Sequence, residues 1–352
     1  MEKIYLSQLD KLKNLADNIP NTKMMAQAKI LTLIILNMRY EPISINQNLK
    51  THPYILVNDL VKNSISFLSA MNEIKYIEDP SSEIRKKENL KMEQEHEELF
   101  QKLWVKFSID EYKKRIERYI YRLQINGLNQ GLLNGSKCID FGCGHGNFAH
   151  ALLKAGANYV YGIDFGKNNI LYAINARDHL GIKPDQIDFK VETVYNVSKK
   201  DNSFDFAVQN GVFHHLENED AAYKEVWRIL KPNGLFWIYT NGYGSINNDL
   251  WEVSKYILKE IEYDFIISYI DSLNIETGKK YHLGDGLNAI YRYTSWDDLT
   301  QRLSKCGFEN FKRLIGGFPT DYDHDVIAKD KYGKEKFGEG NIRILAQKKN
   351  KK

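Results

Sequence analysis

Three glycines spaced two apart, Gly142, Gly144 and Gly146, stand in the stretch CIDFGCGHGNF (residues 138–148), directly behind a short apolar run that ends in Asp140. Glycines there let the backbone turn sharply and approach a ligand with no Cβ in the way, and a helix N-terminus beyond them faces the same ligand. A nucleotide-like cofactor is the chemistry such an arrangement serves. A dinucleotide fingerprint, GxGxxG, would put its third glycine at position 147, which is Asn147, so the chain offers GxGxG instead. Eighteen residues past Gly146 a second apolar run, YVYGID, ends in Asp164. A carboxylate at that strand end can accept both hydroxyls of a ribose.

Two further groups could take part in chemistry. His214 and His215 form a pair whose imidazoles titrate near neutrality, so either can act as a general base, with a structural role as the competing expectation. Cys143 lies inside the glycine loop, but nothing near it in sequence would depress its thiol pKa, and it is expected to fill the loop rather than to attack a substrate. With Cys138 and Cys306 it shows no CxxC or other metal-ligand spacing, and three cysteines are few for a disulfide framework. No metal is expected, and a reducing, cytoplasmic setting is.

These residues need a scaffold, and the pattern from Lys137 onward supplies one. Short apolar runs at 137–141, 159–163, 187–191, 204–209 and 234–240 alternate with helical stretches near 147–156, 167–179 and 219–230, which predicts a parallel sheet covered on both faces. A helix at 295–305 and two strands, FENFKRLIG and NIRILAQK, follow. Residues 1 to about 126 read as helices, so the expected division is an all-α N-terminal domain over 1–129 and an α/β domain over 130–352, with an insert at 241–290.

The formal net charge of +3, from 49 basic and 46 acidic residues, is too balanced to attract polyanions in general, and nucleic acid is not the expected partner. The apolar run at 28–38 is about half the length needed to cross a bilayer, so neither a membrane span nor a signal peptide is expected.

The stretches KCIDFGCGHGNFAHAL, VYGIDFGKNNILYA, SFDFAVQNGVFHHLEN and RILKPNGLFWIYT together resemble the successive motifs of class I S-adenosylmethionine (SAM) dependent methyltransferases, in the branch that modifies small molecules and includes the ubiquinone and menaquinone biosynthesis enzymes. The resemblance implies a Rossmann-like, seven-stranded sheet, mostly parallel with an antiparallel C-terminal strand. It implies SAM as cofactor and S-adenosylhomocysteine (SAH) as product. Asp140, Gly142, Cys143, Gly144 and Gly146 would line the methionine part of SAM. Asp164 would hold the ribose, and Phe165 would pack beside the adenine. Thr193 and Val194 occupy the loop that supplies a further adenine contact, where similar enzymes often carry an acid. Gln209 and Asn210 would face the sulfonium, with His214 and His215 on the methionine side or serving as base.

The expected reaction is in-line transfer of a methyl group to an oxygen or nitrogen of a small molecule; a macromolecular acceptor or a catalytically inactive SAM-binding regulator are the alternatives. The Asn-Pro-Pro-Tyr type element associated with base methylation is absent, with QNGVFHH in its place. The insert is the candidate acceptor cap, carrying Tyr281, His282, Asp285, Tyr291, Arg292 and Tyr293. In the helix before the core, Tyr112, Arg115, Arg118, Tyr119 and Arg122 alternate aromatic and basic groups, which reads first as a packing face with solvated charges, with a nucleic-acid-binding stripe, or Tyr119 or Arg122 closing over the cofactor, as the alternatives. The N-terminal helices would form a lid, a substrate grip or a homodimer surface.

Overall fold

The computed structural model describes residues 1–74, 109–128, 130–275, 283 and 291–350. They fall into two compact units. The first gathers the described residues of Met1–Leu99, Gly244–Ala289 and Ile327–Gly338; the second gathers those of Phe100–Tyr243, Ile290–Val326 and Glu339–Lys352.

In chain order, the first unit opens with α1 (Leu6–Asp17), α2 (Lys23–Ile45) and α3 (Pro53–Glu73). The second continues with α4 (Ile109–Ile125), the short α5 (Gln130–Leu133), β1 (Lys137–Phe141), α6 (Asn147–Lys154), β2 (Tyr159–Asp164) and α7 (Lys167–His179). Then come β3 (Ile187–Val191), β4 (Phe204–Asn210), a 3-10 turn at Phe213–His215, α8 (Glu219–Ile229) and β5 (Leu230–Asn241). The first unit resumes with α9 (Ile246–Leu258) and α10 (Tyr263–Ser272). After them stand α11 (Trp296–Lys305), β6 (Phe308–Arg313), two short helices, α12 (His324–Lys329) and α13 (Gly333–Phe337), and the last strand, β7 (Asn341–Lys348).

The seven strands form one sheet in the order β3-β2-β1-β4-β5-β7-β6. β1 pairs in parallel with β2 and β4, and β5 with β4, whereas β7 runs antiparallel to both β5 and β6. The near-continuous apolar runs seen in sequence reflect burial on both faces. Cys138, Phe206, Val208 and Trp237 face a cluster built with Tyr112, Ile116 and Leu123 of α4 and Phe148 and Leu152 of α6. Ile139, Phe141, Ala207 and Phe236 point the other way, toward Val226 and Ile229 of α8 and Leu299 and Leu303 of α11. Alternation along each strand thus fixes which residues reach which helix layer.

The division between units lies elsewhere than at residue 130. α4 was expected among the N-terminal helices, yet its apolar stripe is buried in the sheet's own core, and Tyr112 Oη donates to the His145 carbonyl of the glycine loop at 2.7 Å. Conversely, the expected insert supplies Ile246, Leu250, Trp251 and Ile257 to a core shared with Leu9, Leu12, Leu33 and Val57 of α1 to α3. α2 buries Met25, Ile30, Leu33, Leu36 and Tyr40 in that core and leaves Ile35, Met38 and Ile45 exposed. Its last carbonyls, past Pro42, find a donor in the buried Lys336, whose Nζ donates to Ser44 O at 2.9 Å and Asn46 O at 3.0 Å. Among the described residues, no helix is long and apolar enough to cross a membrane.

Candidate functional site

Between β1 and β4 the strand order reverses direction, and ligands of open α/β sheets bind beyond the carboxyl ends of the strands at such a point. Asp140 lies near the end of β1, and the glycine loop leads from there into α6. Gly142 and Gly146 have φ of 65° and 82°, and a Cβ on them would lie 2.6 Å from Val212 Cγ1 and 2.5 Å from Phe189 Cζ respectively. Packing therefore demands glycine at both. Gly144 also has positive φ, 51°, but a Cβ there would meet nothing within 4 Å, so this residue faces open space where a ligand can approach the backbone. Gly146→Ala is expected to destabilise the protein by about 2–4 kcal/mol, from left-handed strain and the clash with Phe189. Urea denaturation checks this, and a loss under about 0.5 kcal/mol would show that the loop repacks freely.

Asp164, at the end of β2, secures the loop from the next strand. Its Oδ2 accepts from the Gly144 backbone amide at 2.9 Å, and its Oδ1 accepts from Gly166 N at 2.8 Å and Asn169 Nδ2 at 3.1 Å. The carboxylate is thus held in a fixed orientation. Phe165 beside it is 45% exposed, unusual for a large apolar ring and suited to stacking on a flat ligand. Asp140 is buried, and its Oδ2 has no hydrogen-bond partner among the described residues. Burial, with the negative charge of Asp164 second, pushes its carboxyl from 3.8 up to about 8; the Ala149 amide pulls the other way. A buried, unpartnered carboxylate oxygen is costly unless a donor arrives. These features fit SAM: a cationic methionine end for Asp140, a ribose for Asp164, a flat base for Phe165 and an open approach at Gly144.

The other expected cofactor residues divide. Gln209 does not present its side chain to a ligand. It is fully buried; its Nε2 donates to Tyr239 O at 3.1 Å, and its Oε1 accepts from Val212 N at 3.1 Å and Phe213 N at 3.2 Å. It shapes the loop after β4 instead. Asn210, next along, approaches Tyr119 Oη at 3.5 Å and Trp237 Nε1 at 3.4 Å, and Tyr119 packs on Phe148 of α6. Asn210 and Tyr119 thus meet beside the glycine loop. Thr193 is exposed and Val194 buried. The acid of that loop is Glu192, which sequence reasoning passed over; it is turned away to accept from Tyr161 Oη at 2.6 Å and Ser198 N at 3.0 Å. Cys143 is buried, and burial raises its thiol pKa further, which leaves it no nucleophile.

His214 is buried, with Nδ1 3.3 Å from Thr240 Oγ1. Its ring stacks on Tyr291 at 5.3 Å, while His215, half-buried, stands edge-on to both at 4.2 and 4.7 Å. Tyr293 continues the stack at 6.2 Å from Tyr291. The structure therefore brings four expected residues from distant parts of the sequence to the end of β4. Arg292 donates its backbone amide to His214 O at 2.8 Å and is itself exposed. Arg122 does not lie over the cofactor loop; it is buried and ion-paired with Asp321, and its Nε donates to Gly316 O at 3.1 Å. Tyr281, His282 and Asp285 lie outside the described residues.

Residues 139–238 match the methyltransferase domain family. Over 137 residues the chain is 29% identical to a mitochondrial ubiquinone biosynthesis O-methyltransferase of Dictyostelium discoideum, covering 37% of this chain and 40% of that protein. It is 32% identical over 126 residues to a sterol 24-C-methyltransferase of Gibberella zeae, covering 33% of this chain and 32% of the other. The chain thus spans less than half the length of these curated relatives. Among solved structures, a SAM dependent methyltransferase from Aquifex aeolicus aligns with a TM-score of 0.41 and 16% identity, over 69% of this chain and 99% of the other. The stretch that holds Asp140, the glycine loop and Asp164 thus matches the methyltransferase domain family, and its curated relatives are methyltransferases by name.

Proposed function

We propose that the protein transfers the methyl group of SAM to an oxygen or nitrogen of a small-molecule acceptor. The observation that carries the reading is Asp140 near the end of β1, whose buried Oδ2 finds no hydrogen-bond partner among the described residues, together with the open approach to the Gly144 backbone; such a carboxylate suits the cationic methionine end of the cofactor. SAM supplies an already activated methyl group, so the protein's task is to bind, orient and exclude water. Asp164 and Phe165 would fix the nucleoside, and Asp140 the amino acid end. Asn210 and Tyr119 would stand where the acceptor approaches. For a hydroxyl acceptor, His215 is the better placed base: it is half-buried beside Tyr291, whereas the buried His214 holds the turn through Thr240.

The relatives' printed names support a small acceptor, since one is named for ubiquinone biosynthesis and another for a sterol; their C- and O-transfer labels leave the acceptor atom as our inference. Methyl-labelled SAM, incubated with the protein and a cell extract split into small and large molecules, is expected to label the small-molecule fraction. Label confined to macromolecules would replace the acceptor class, and titration calorimetry showing NAD binding without SAM or SAH binding would overturn the reading itself.

A further inference from the structure

Three guanidinium groups converge on one carboxylate oxygen in the sheet-bearing unit. Arg122 Nη2 is ion-paired to Asp321 Oδ1; Arg343 Nη2 lies 3.1 Å and Arg118 Nη2 3.6 Å from the same oxygen. The other oxygen of Asp321 accepts from the Phe318 amide at 3.1 Å. Asp323, whose charge also reaches Arg343, is spent on the amides of Gly316 at 2.7 Å, Asp325 at 3.1 Å and Val326 at 3.2 Å. Neither carboxylate has a second fork to offer.

Positive charge therefore exceeds what these carboxylates neutralise, in a place where charge is expensive. Arg343 is buried, desolvation pulls its pKa below the ordinary guanidinium value, and its Nε has no hydrogen-bond partner among the described residues. A buried cation is stable only when paired and hydrogen-bonded, and a guanidinium carries five donors in a plane that matches an oxyanion. Aromatic rings hold the planes in place: Arg343 lies 4.5 Å from the Tyr239 ring and Arg118 4.5 Å from Phe318. The cluster grades outward, because Arg122 and Arg343 are buried while the Arg118 side chain is 46% exposed.

Its position is the second observation. Arg343 of β7 stands opposite Tyr239 of β5, and the Tyr239 ring flanks Gly211, where a Cβ would come within 3.2 Å of it. Arg122 reaches the ring of Tyr119, 5.8 Å away, and Tyr119 meets Asn210. The guanidinium cluster thus borders the ends of β4 and β5, on the side of the sheet where an acceptor would wait for the methyl group.

We propose that Arg118, Arg122 and Arg343 form an oxyanion subsite that takes the acidic group, carboxylate or phosphate, of the methyl acceptor. The proposal rests on the methyltransferase reading for calling this ligand the acceptor, and it narrows the acceptor to an acid. The test titrates the full chain, loaded with SAH, with benzoate, phenyl phosphate and the neutral benzamide at low salt, read by calorimetry. At least one anion is expected to bind tenfold or more tighter than benzamide, and the tighter of the two names the acidic group. Two variants follow: R118Q, at a half-exposed side chain whose loss the fold tolerates, and R343K, which keeps charge but loses the planar fork. Each is expected to weaken the anion at least fivefold while circular dichroism reports an intact fold. Equal binding of benzamide and both anions, or wild-type anion affinity in both variants, overturns the subsite. SAH binding is measured alongside. SAH binding without anion discrimination removes the subsite alone, and anion discrimination without SAH binding removes the methyltransferase reading alone.

Discussion

Replacing Asp164 by alanine is expected to lower both stability and cofactor affinity, the former by about 2–4 kcal/mol and the latter by about 1–3 kcal/mol. The two losses have separate causes. Stability falls because the amides of Gly144 and Gly166 and the Asn169 side chain lose the carboxylate that they share at 2.8 to 3.1 Å, and a donor left unsatisfied costs more than a bond is worth. Affinity falls because the ribose hydroxyls lose an ionised acceptor and because an untethered Gly144 no longer presents its open face. Asp164→Asn separates the two: the amide oxygen can still accept from one side while its NH2 faces a backbone donor. About half the stability loss is expected, with nearly the full loss of SAH affinity. Urea denaturation and SAH calorimetry, run well below the melting midpoint, check both. A folded Asp164→Ala protein with unchanged SAH affinity would refute the ribose role, and unchanged stability would refute the tether.

That tether also marks where sequence was informative and where it stopped. The alternation of short apolar runs with helical ones located strands β1 to β5 because burial on both faces keeps most of their residues apolar, the edge strand β3 with Asp188 and Lys190 excepted. Asp140, Asp164 and the glycines were legible because their spacing relative to strand ends is local. What the side chains do once there depends on neighbours distant in sequence. Gln209 has the chemistry of a ligand contact, yet the loop after β4 consumes both its polar atoms, which no local pattern reveals.

Arg122 presents the same difficulty: its partner Asp321 lies 199 residues away, so a helix stripe of Tyr and Arg reads as a packing face with solvated charges or as a lid, and the buried ion pair is not legible in it. Unit boundaries fail for a related reason. The apolar stripe of α4 says that the helix is buried, and only the fold says against which core. The same holds for α9, which supplies Trp251 to the core of α1 to α3 although it follows β5 directly. Glu192 could have been noticed as the acid expected next to Thr193, but its engagement by Tyr161 and Ser198 could not.

Asp140 makes the remaining large prediction, and it is one of pH. SAH binding is expected to tighten between pH 6 and 8, by up to about tenfold per unit, and to level off above. With a carboxyl pKa of about 8 in the protein, Asp140 is largely protonated at neutral pH, and a cationic amino group bound beside it favours the ionised form and expels the proton. Lower pH therefore opposes binding. Stability runs the opposite way: the folded protein retains a proton that the unfolded chain, with an ordinary value of 3.8, has already released, so folding weakens as pH rises through this window. The slope approaches about 1.4 kcal/mol per unit and disappears above pH 8. His145 in the loop and His150 in α6 are held neutral by burial, with pKa values near 4, so they add nothing to the pH dependence of SAH binding between pH 6 and 8; in stability the unfolded chain still protonates both below about pH 7, which adds a rise with pH that opposes the Asp140 slope there and fades above it. Asp140→Asn should remove the Asp140 share from both profiles, raise stability most at the alkaline end and weaken SAH there. The ligand's own amino group titrates equally against both proteins, so the difference between the two curves isolates Asp140. Parallel curves for wild type and D140N would place the proton on another group and remove Asp140 as the partner of the cofactor's amino group.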